Sequence, residues 1–262
     1  MKTIAVANQK GGCAKTTTAI NLAAGIAMQD KRVLLVDLDP QGHACLGLGI
    51  DPNRIPTSIY DVLVDKDMSM SNAIVHSQIS GLDLIPSNFK LGTAELDLRA
   101  TAGREMILSK KLQLVGKHYD YCIIDCAPAL SLLMLNVMIA SDEVIITVQT
   151  HYYALEGLKR MLGTLHVARK QVHPCNVRAL GLLLTLVEER TLLCRQIQQQ
   201  LREFFGSLVF ETVIHRSVRI AESPSAGESV LTYAPKDKGA VEYRAMAEET
   251  LERITRLDRV PF

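Results

Sequence analysis

Short β-branched apolar runs alternate along this chain with longer stretches whose apolar residues recur every three or four positions. That rhythm predicts repeated strand–helix–strand units and a parallel sheet. Residues 3–7 read as the first strand, and 16–28 as a helix with Ala19, Ile20, Ala23, Ala24 and Ala27 on one face. The run V-L-L-V-D-L at 33–38 is so continuously apolar that both of its faces should be covered. A Gly- and Pro-containing stretch with one short helix at 58–64 follows. Further strands are expected at 82–86, 119–125, 144–148, 179–187 and 209–214. Helical patterns occupy 91–98, 104–115, 130–140, 154–169 and 192–205, and an amphipathic helix closes the chain at 237–257. His151, Tyr152 and Tyr153 read as a loop with aromatic packing. The pattern therefore predicts an α/β fold, a doubly wound and mostly parallel sheet flanked by helices, as one domain over 1–262.

The chemistry concentrates where the first strand hands over to the first helix, in A-N-Q-K-G-G-C-A-K-T-T-T-A-I-N from Ala7 to Asn21. Gly11 and Gly12 let backbone amides close around an anion, and the amides and dipole of the following helix favour phosphate. Lys15 can reach terminal phosphates, and the Thr16 hydroxyl, followed by Thr17, can sit on Mg²⁺. The strict phosphate-loop pattern is not met, because Gln9 and Ala14 stand where it has glycines. Ala14 is therefore expected at negative φ, already entering the helix.

Two strand ends carry carboxylates on the side where ligands of open α/β sheets bind. Asp125 ends the run Y-D-Y-C-I-I-D and is the natural holder of Mg²⁺, directly or through water. Asp37 and Asp39 lie two apart, so both point to one face if the strand persists that far. One can orient a water for in-line attack while the other holds the loop or the metal shell. Asp37 is equally readable as a turn or helix cap.

Charge and cysteine usage narrow the partners. A formal net charge of +1 argues against wholesale polyanion binding and leaves room for local patches. Two basic stretches, Lys159, Arg160, Arg169, Lys170 and Arg178, and Arg104, Lys110, Lys111 and Lys117, read first as solvated faces. The six cysteines lack C-x-x-C or zinc-finger spacing and read as reduced thiols of a cytoplasmic protein. The first residues are too soon interrupted for a secretory signal, and no run reaches the span of a membrane helix.

Lys10 ahead of the Gly pair, with Lys15-Thr16-Thr17, resembles the deviant Walker A signature K-G-G-x-G-K-T of the ParA/MinD family. V-L-L-V-D-L-D-P-Q-G at 33–42, Y-D-Y-C-I-I-D-C-A-P-A-L at 119–130 and V-F-E-T-V-I-H-R-S-V-R-I-A-E-S-P-S-A-G at 209–227 resemble segments of its ParA/Soj branch. The resemblance implies an ATPase that dimerises around ATP and Mg²⁺. Lys10, Lys15 and Asp39 would then be catalytic, Asp39 positioning the water and Lys10 reaching phosphate across the dimer. Lys10, Gly11, Gly12, Cys13, Ala14, Lys15, Thr16, Thr17, Asp125 and Arg216 would bind the nucleotide, with Thr16, Asp39 and Asp125 at the metal.

It further implies non-specific DNA binding through Arg216 and Arg219, a ParB-like activator, and a place in the cytoplasm on the nucleoid. A P-loop kinase or ligase acting on a small molecule is the rival reading. A MinD-like membrane ATPase is another, disfavoured because Glu242, Glu248, Glu249 and Glu252 make the last helix acidic. The sequence departs from the family pattern at His43, Ala127, His215, Ser217 and 186–189, which puts the base contacts in question more than the phosphate contacts.

Overall fold

Strands buried on both faces require helices on both sides, and the structure supplies them. The computed structural model describes residues 1–129, 131–151, 154–172 and 175–259. In chain order the strands are β1 Lys2–Ala7, β2 Val33–Leu38, β3 Val75–His76, β4 Leu82–Ile85, β5 Tyr121–Cys126, β6 Glu143–Gln149, β7 Arg178–Val187 and β8 Val209–His215. They form one sheet in the order β3-β4-β2-β5-β1-β6-β7-β8. Every described pairing is parallel except that of β3 with β4.

The chain up to β6 supplies α1 Lys15–Ala27, α2 His43–Gly47, α3 Ile59–Val64, α4 Ala94–Asp97, α5 Ile107–Val115 and α6 Leu132–Ala140. The remainder supplies α7 Ala154–Gln171, α8 Leu192–Phe205, α9 Val218–Glu222, α10 Val230–Tyr233 and α11 Lys238–Arg259. Strand periodicity splits the core in two. In β2, Leu34, Val36 and Leu38 join a cluster with Leu108, Leu112, Met134, Met161 and Leu201, under α5 to α8. Val33 and Leu35 join the other, with Leu22, Ile26, Leu231, Tyr243 and Met246, under α1, α10 and α11. Side-chain alternation in β1 and β5 divides in the same way. Asp37 and Asp125, Cα partners across β2 and β5, thus share the α1 face. Helices α1 and α11 cross closely at Gly25, where a Cβ would lie 2.8 Å from that of Ala247.

The long elements fall where the periodicity places them, and the differences are at short ones. The helix expected at 91–98 is a 3₁₀ turn, Phe89–Thr93, followed by α4, and the one at 104–115 opens as a 3₁₀ turn, Arg104–Met106, before α5. Short helices α2, α9 and α10 and the edge strand β3 were not expected, since four or five residues hold too little periodicity to read. Side chains define them instead: Ser217 caps α9 and Ser229 caps α10. Of the helix expected at 130–140, Leu130 lies outside the described residues, as do Tyr152 and Tyr153 of the aromatic loop.

Candidate functional site

β1 lies at the centre of the sheet, so the loop after Ala7 emerges at the carboxyl edge where α/β sheets bind ligands. Buried Asn8 sets its first turn, donating to the Thr147 carbonyl at 2.7 Å and accepting from the Lys10 amide at 3.0 Å. Gln9 donates through Nε2 to Thr164 Oγ1 on α7 at 2.6 Å. The Cys13 thiol donates to the Lys10 carbonyl and accepts from the Thr147 hydroxyl, while Thr185 of β7 donates to the Cys13 carbonyl at 3.1 Å. Cys13 is thus a packing thiol that fastens the loop to β6 and β7.

Gly12 has φ +72°, which glycine adopts freely. Ala14 has φ +61° and ψ +31°, so the expectation of negative φ is wrong. The helix begins at Lys15, one residue later than that expectation required, and Ala14 still belongs to the turn. A Cβ in the left-handed region costs about 1–2 kcal/mol. The turn leaves the start of α1 without a side-chain cap and without an acidic residue, so its first amides and its dipole face outward. Among the described residues a Cβ on Gly11 would meet nothing within 4 Å, so no contact there demands glycine. Its backbone is open to approach, and a phosphate oxygen is a group this cradle suits. Lys15, buried, donates from Nζ to the Lys10 carbonyl at 2.9 Å, and Lys10 Nζ rests on the His151 imidazole, 3.5 Å from Nδ1 and closer to Nε2.

The two in-register carboxylates differ. Asp37 accepts the amides of Asp39, Ala44 and Cys45 at 3.1–3.2 Å and the Cys45 thiol at 3.2 Å, so it caps the start of α2. Burial raises its pKa to about 6 against these bonds. Asp125 is equally buried, but among the described residues neither of its oxygens has a hydrogen-bond partner. Its pKa is raised well above the carboxylate range by burial and then by the Asp37 charge. The Thr16 side chain and then the Lys15 charge pull the other way. An unpaired buried carboxylate beside a threonine hydroxyl fits Mg²⁺, which binds through one or two carboxylates plus water and phosphate. Asp39, 9% exposed, follows β2 and accepts the Gln41 amide at 3.0 Å.

Lys10 to Thr17, Asp39 and Asp125 therefore share one edge. Arg216 lies at the end of β8, three strands from β1 and so about 14 Å across the sheet. There the sequence departures prove to be partners. His215 meets Glu242 through Nδ1 at 2.6 Å and Glu189 through Nε2 at 2.9 Å, and Arg216 meets Glu188 at 2.8 Å. Residues 215–219, 237–239 and 242 line a cavity of about 350 Å³ beside them. Arg219, half exposed, pairs with Glu222 at 2.8 Å. Parts of the two basic stretches are used internally: Lys111 donates to three carbonyls at 65–68, and Arg178 pairs with buried Glu143.

Sequence reasoning missed Gln9–Thr164, Thr185–Cys13 and Lys10–His151. These pairs lie 155, 172 and 141 residues apart, and no local pattern marks them.

Residues 1–177 match a family model described as an AAA domain. The sporulation initiation inhibitor protein Soj of Bacillus subtilis is 44% identical over 248 residues, 95% of this chain and 97% of that protein. The chromosome-partitioning ATPase Soj of Thermus thermophilus is 44% identical over 254 residues, 97% of each. Among solved structures, cobyrinic acid a,c-diamide synthase from Mycobacterium smegmatis, with a bound ATP analogue and magnesium, superposes with a TM-score of 0.86. It is 35% identical and covers 100% of this chain and 98% of that one.

Proposed function

This chain belongs to the Soj/ParA family of partition ATPases, and on that premise we propose that it is an ATP-driven dimerising switch that positions a chromosome, plasmid or protein cargo. The observation that carries the reading is Asp125, a buried and unpartnered carboxylate at the mouth of a phosphate-shaped loop. A structure has little reason to keep such a group unless a ligand completes it.

In this reading the amides of Gly11 to Thr17 and the start of α1 cradle the phosphates, and Lys15 leaves the Lys10 carbonyl to meet the terminal ones. Thr16 and Asp125, with Asp39 nearby, hold Mg²⁺, which neutralises phosphate charge when bound. Asp39 orients the attacking water, and Lys10 reaches the phosphate of a second subunit. Arg216 borders the base end. With Arg219 it also forms half of a DNA surface that becomes whole in the dimer; both would have to exchange Glu188 and Glu222 for phosphate. Hydrolysis, stimulated by a ParB-like partner, resets the cycle. No helix among the described residues is long and apolar enough to cross a membrane, and we place the protein in the cytoplasm, on the nucleoid when bound to DNA.

The test is ATP turnover with no small-molecule acceptor, with and without Mg²⁺, DNA and a ParB-like activator, beside DNA anisotropy in ATP and in ADP. Mg²⁺-dependent turnover that DNA and activator raise is expected. DNA affinity should be higher in ATP and lost in Arg219→Glu. Turnover that requires an acceptor would favour the kinase or ligase reading instead.

A further inference from the structure

Lys10 is the cation that the proposed dimer needs, yet in the protomer its ammonium is already engaged. Nζ rests on the His151 ring at the end of β6, within reach of both ring nitrogens. An imidazole accepts a hydrogen bond only while one nitrogen is unprotonated; a protonated ring donates from both and repels an ammonium. We infer that His151 is a positioning residue that holds Lys10 within its own protomer and so sets how readily Lys10 is given up to a second subunit. The inference rests on the reading of Lys10 as a residue acting across the dimer.

Among the described residues, Lys10 supplies the charge that acts on this ring. Beside the Lys10 stem lies a cavity of about 200 Å³ lined by Gln9, Lys10, Glu156, Gly157 and Arg160. Its other two charges, Glu156 and Arg160 on α7, pair with each other at 2.6 Å. Gln9 is neutral and tied to Thr164. The pKa of His151 is lowered, first by burial and then by the Lys10 charge, so the ring is a neutral acceptor at physiological pH. Once Lys10 leaves, one cause of that lowering is gone, and the ring binds a proton more tightly in the dimer than in the protomer. Dimerisation therefore takes up protons at this site, and acidification favours it.

The decisive measurement is the dimerisation constant by sedimentation, with a non-hydrolysable ATP analogue and Mg²⁺, from pH 5.5 to 8.5. It is made on the wild type and on His151→Ala, His151→Gln and Lys10→Ala. At pH 8, His151→Ala should dimerise about a hundredfold more tightly than wild type, since two charge-assisted hydrogen bonds, one in each protomer and worth about tenfold apiece, are no longer broken. His151→Gln keeps a neutral acceptor and should match wild type at pH 8. Wild type alone should tighten towards His151→Ala as pH falls, while the Gln variant stays behind.

Equal dimerisation of His151→Ala and wild type at pH 8, or a Gln variant that tracks the wild-type pH profile, overturns the inference. Lys10→Ala separates this from its premise. If that variant cannot dimerise while His151→Ala behaves as wild type, only the role of His151 fails. If Lys10→Ala dimerises normally, the reading of Lys10 across the dimer fails with it.

Discussion

The loop between β1 and α1 and the corner where β7 and β8 end lie on the same edge of the sheet, and they treat polar groups in opposite ways. The corner closes on itself: His215 is held between Glu189 and Glu242, and Arg216 meets Glu188. The loop stays open, with a strained Ala14, an uncapped helix start and Asp125 unpaired in the core. Even the two neighbouring carboxylates divide this way, since Asp37 accepts the amides of α2 and Asp125 has no hydrogen-bond partner among the described residues. The lesson is that unmet polar demand, more than charge or exposure, marks where a ligand is awaited.

That contrast can be broken most forcefully at Lys15. Lys15→Ala should weaken ATP binding about a hundredfold or more, because the loop loses its own cation and the charge-assisted bonds it makes. Near-wild-type affinity in a calorimetric titration would put the phosphate site elsewhere. Asp39→Ala should bind ATP normally and turn over about a hundredfold more slowly, the usual increment for positioning a nucleophile. Unchanged single-turnover rates would pass that role to another group.

Asp125→Asn sharpens the comparison through stability. A raised folded pKa means that the native state holds its proton more tightly than the unfolded chain does. The resulting penalty is therefore full above the folded pKa and fades as pH falls towards the unfolded value of 3.8. Without nucleotide, Asp125→Asn should be about 1–3 kcal/mol more stable than wild type at pH 8. Thermal melts should show that advantage shrinking at pH 5, and an advantage independent of pH would mean that Asp125 is not a buried charge.

In the closed corner the sign reverses. Glu242→Ala leaves the His215 amide and ring without their carboxylate, so it should cost about 1–2 kcal/mol and lower the melting temperature by a few degrees. ATP affinity should change far less than in Lys15→Ala. The smallest effect belongs to Ala14→Gly. Relief of about 1–2 kcal/mol of left-handed strain is offset by about 0.4–1 kcal/mol of added unfolded-chain entropy. A slight net gain in melting temperature is expected, and a loss would mean that Ala14 is not strained.

The long strands and helices are legible in the sequence, because a covered strand and an amphipathic helix each write their period into a few neighbouring residues, whereas α2, α9, α10 and β3 are too short to do so. The sequence also placed the phosphate loop and the carboxylates at strand ends, since glycine, lysine, threonine and aspartate within short spans are read locally. Tertiary structure alone decided what those groups do to one another. Asp37 and Asp125 look alike in sequence as strand-terminal acids, and only the fold of α2 back onto β2 gives one its partners and leaves the other bare. The handedness of Ala14, the rest of Lys10 on His151 and the matching of Glu188 and Glu189 to Arg216 and His215 depend on segments distant in the chain or on a loop's closure. Such pairings are set by sheet order and helix packing, which summed burial over the whole core fixes and no local window of residues contains.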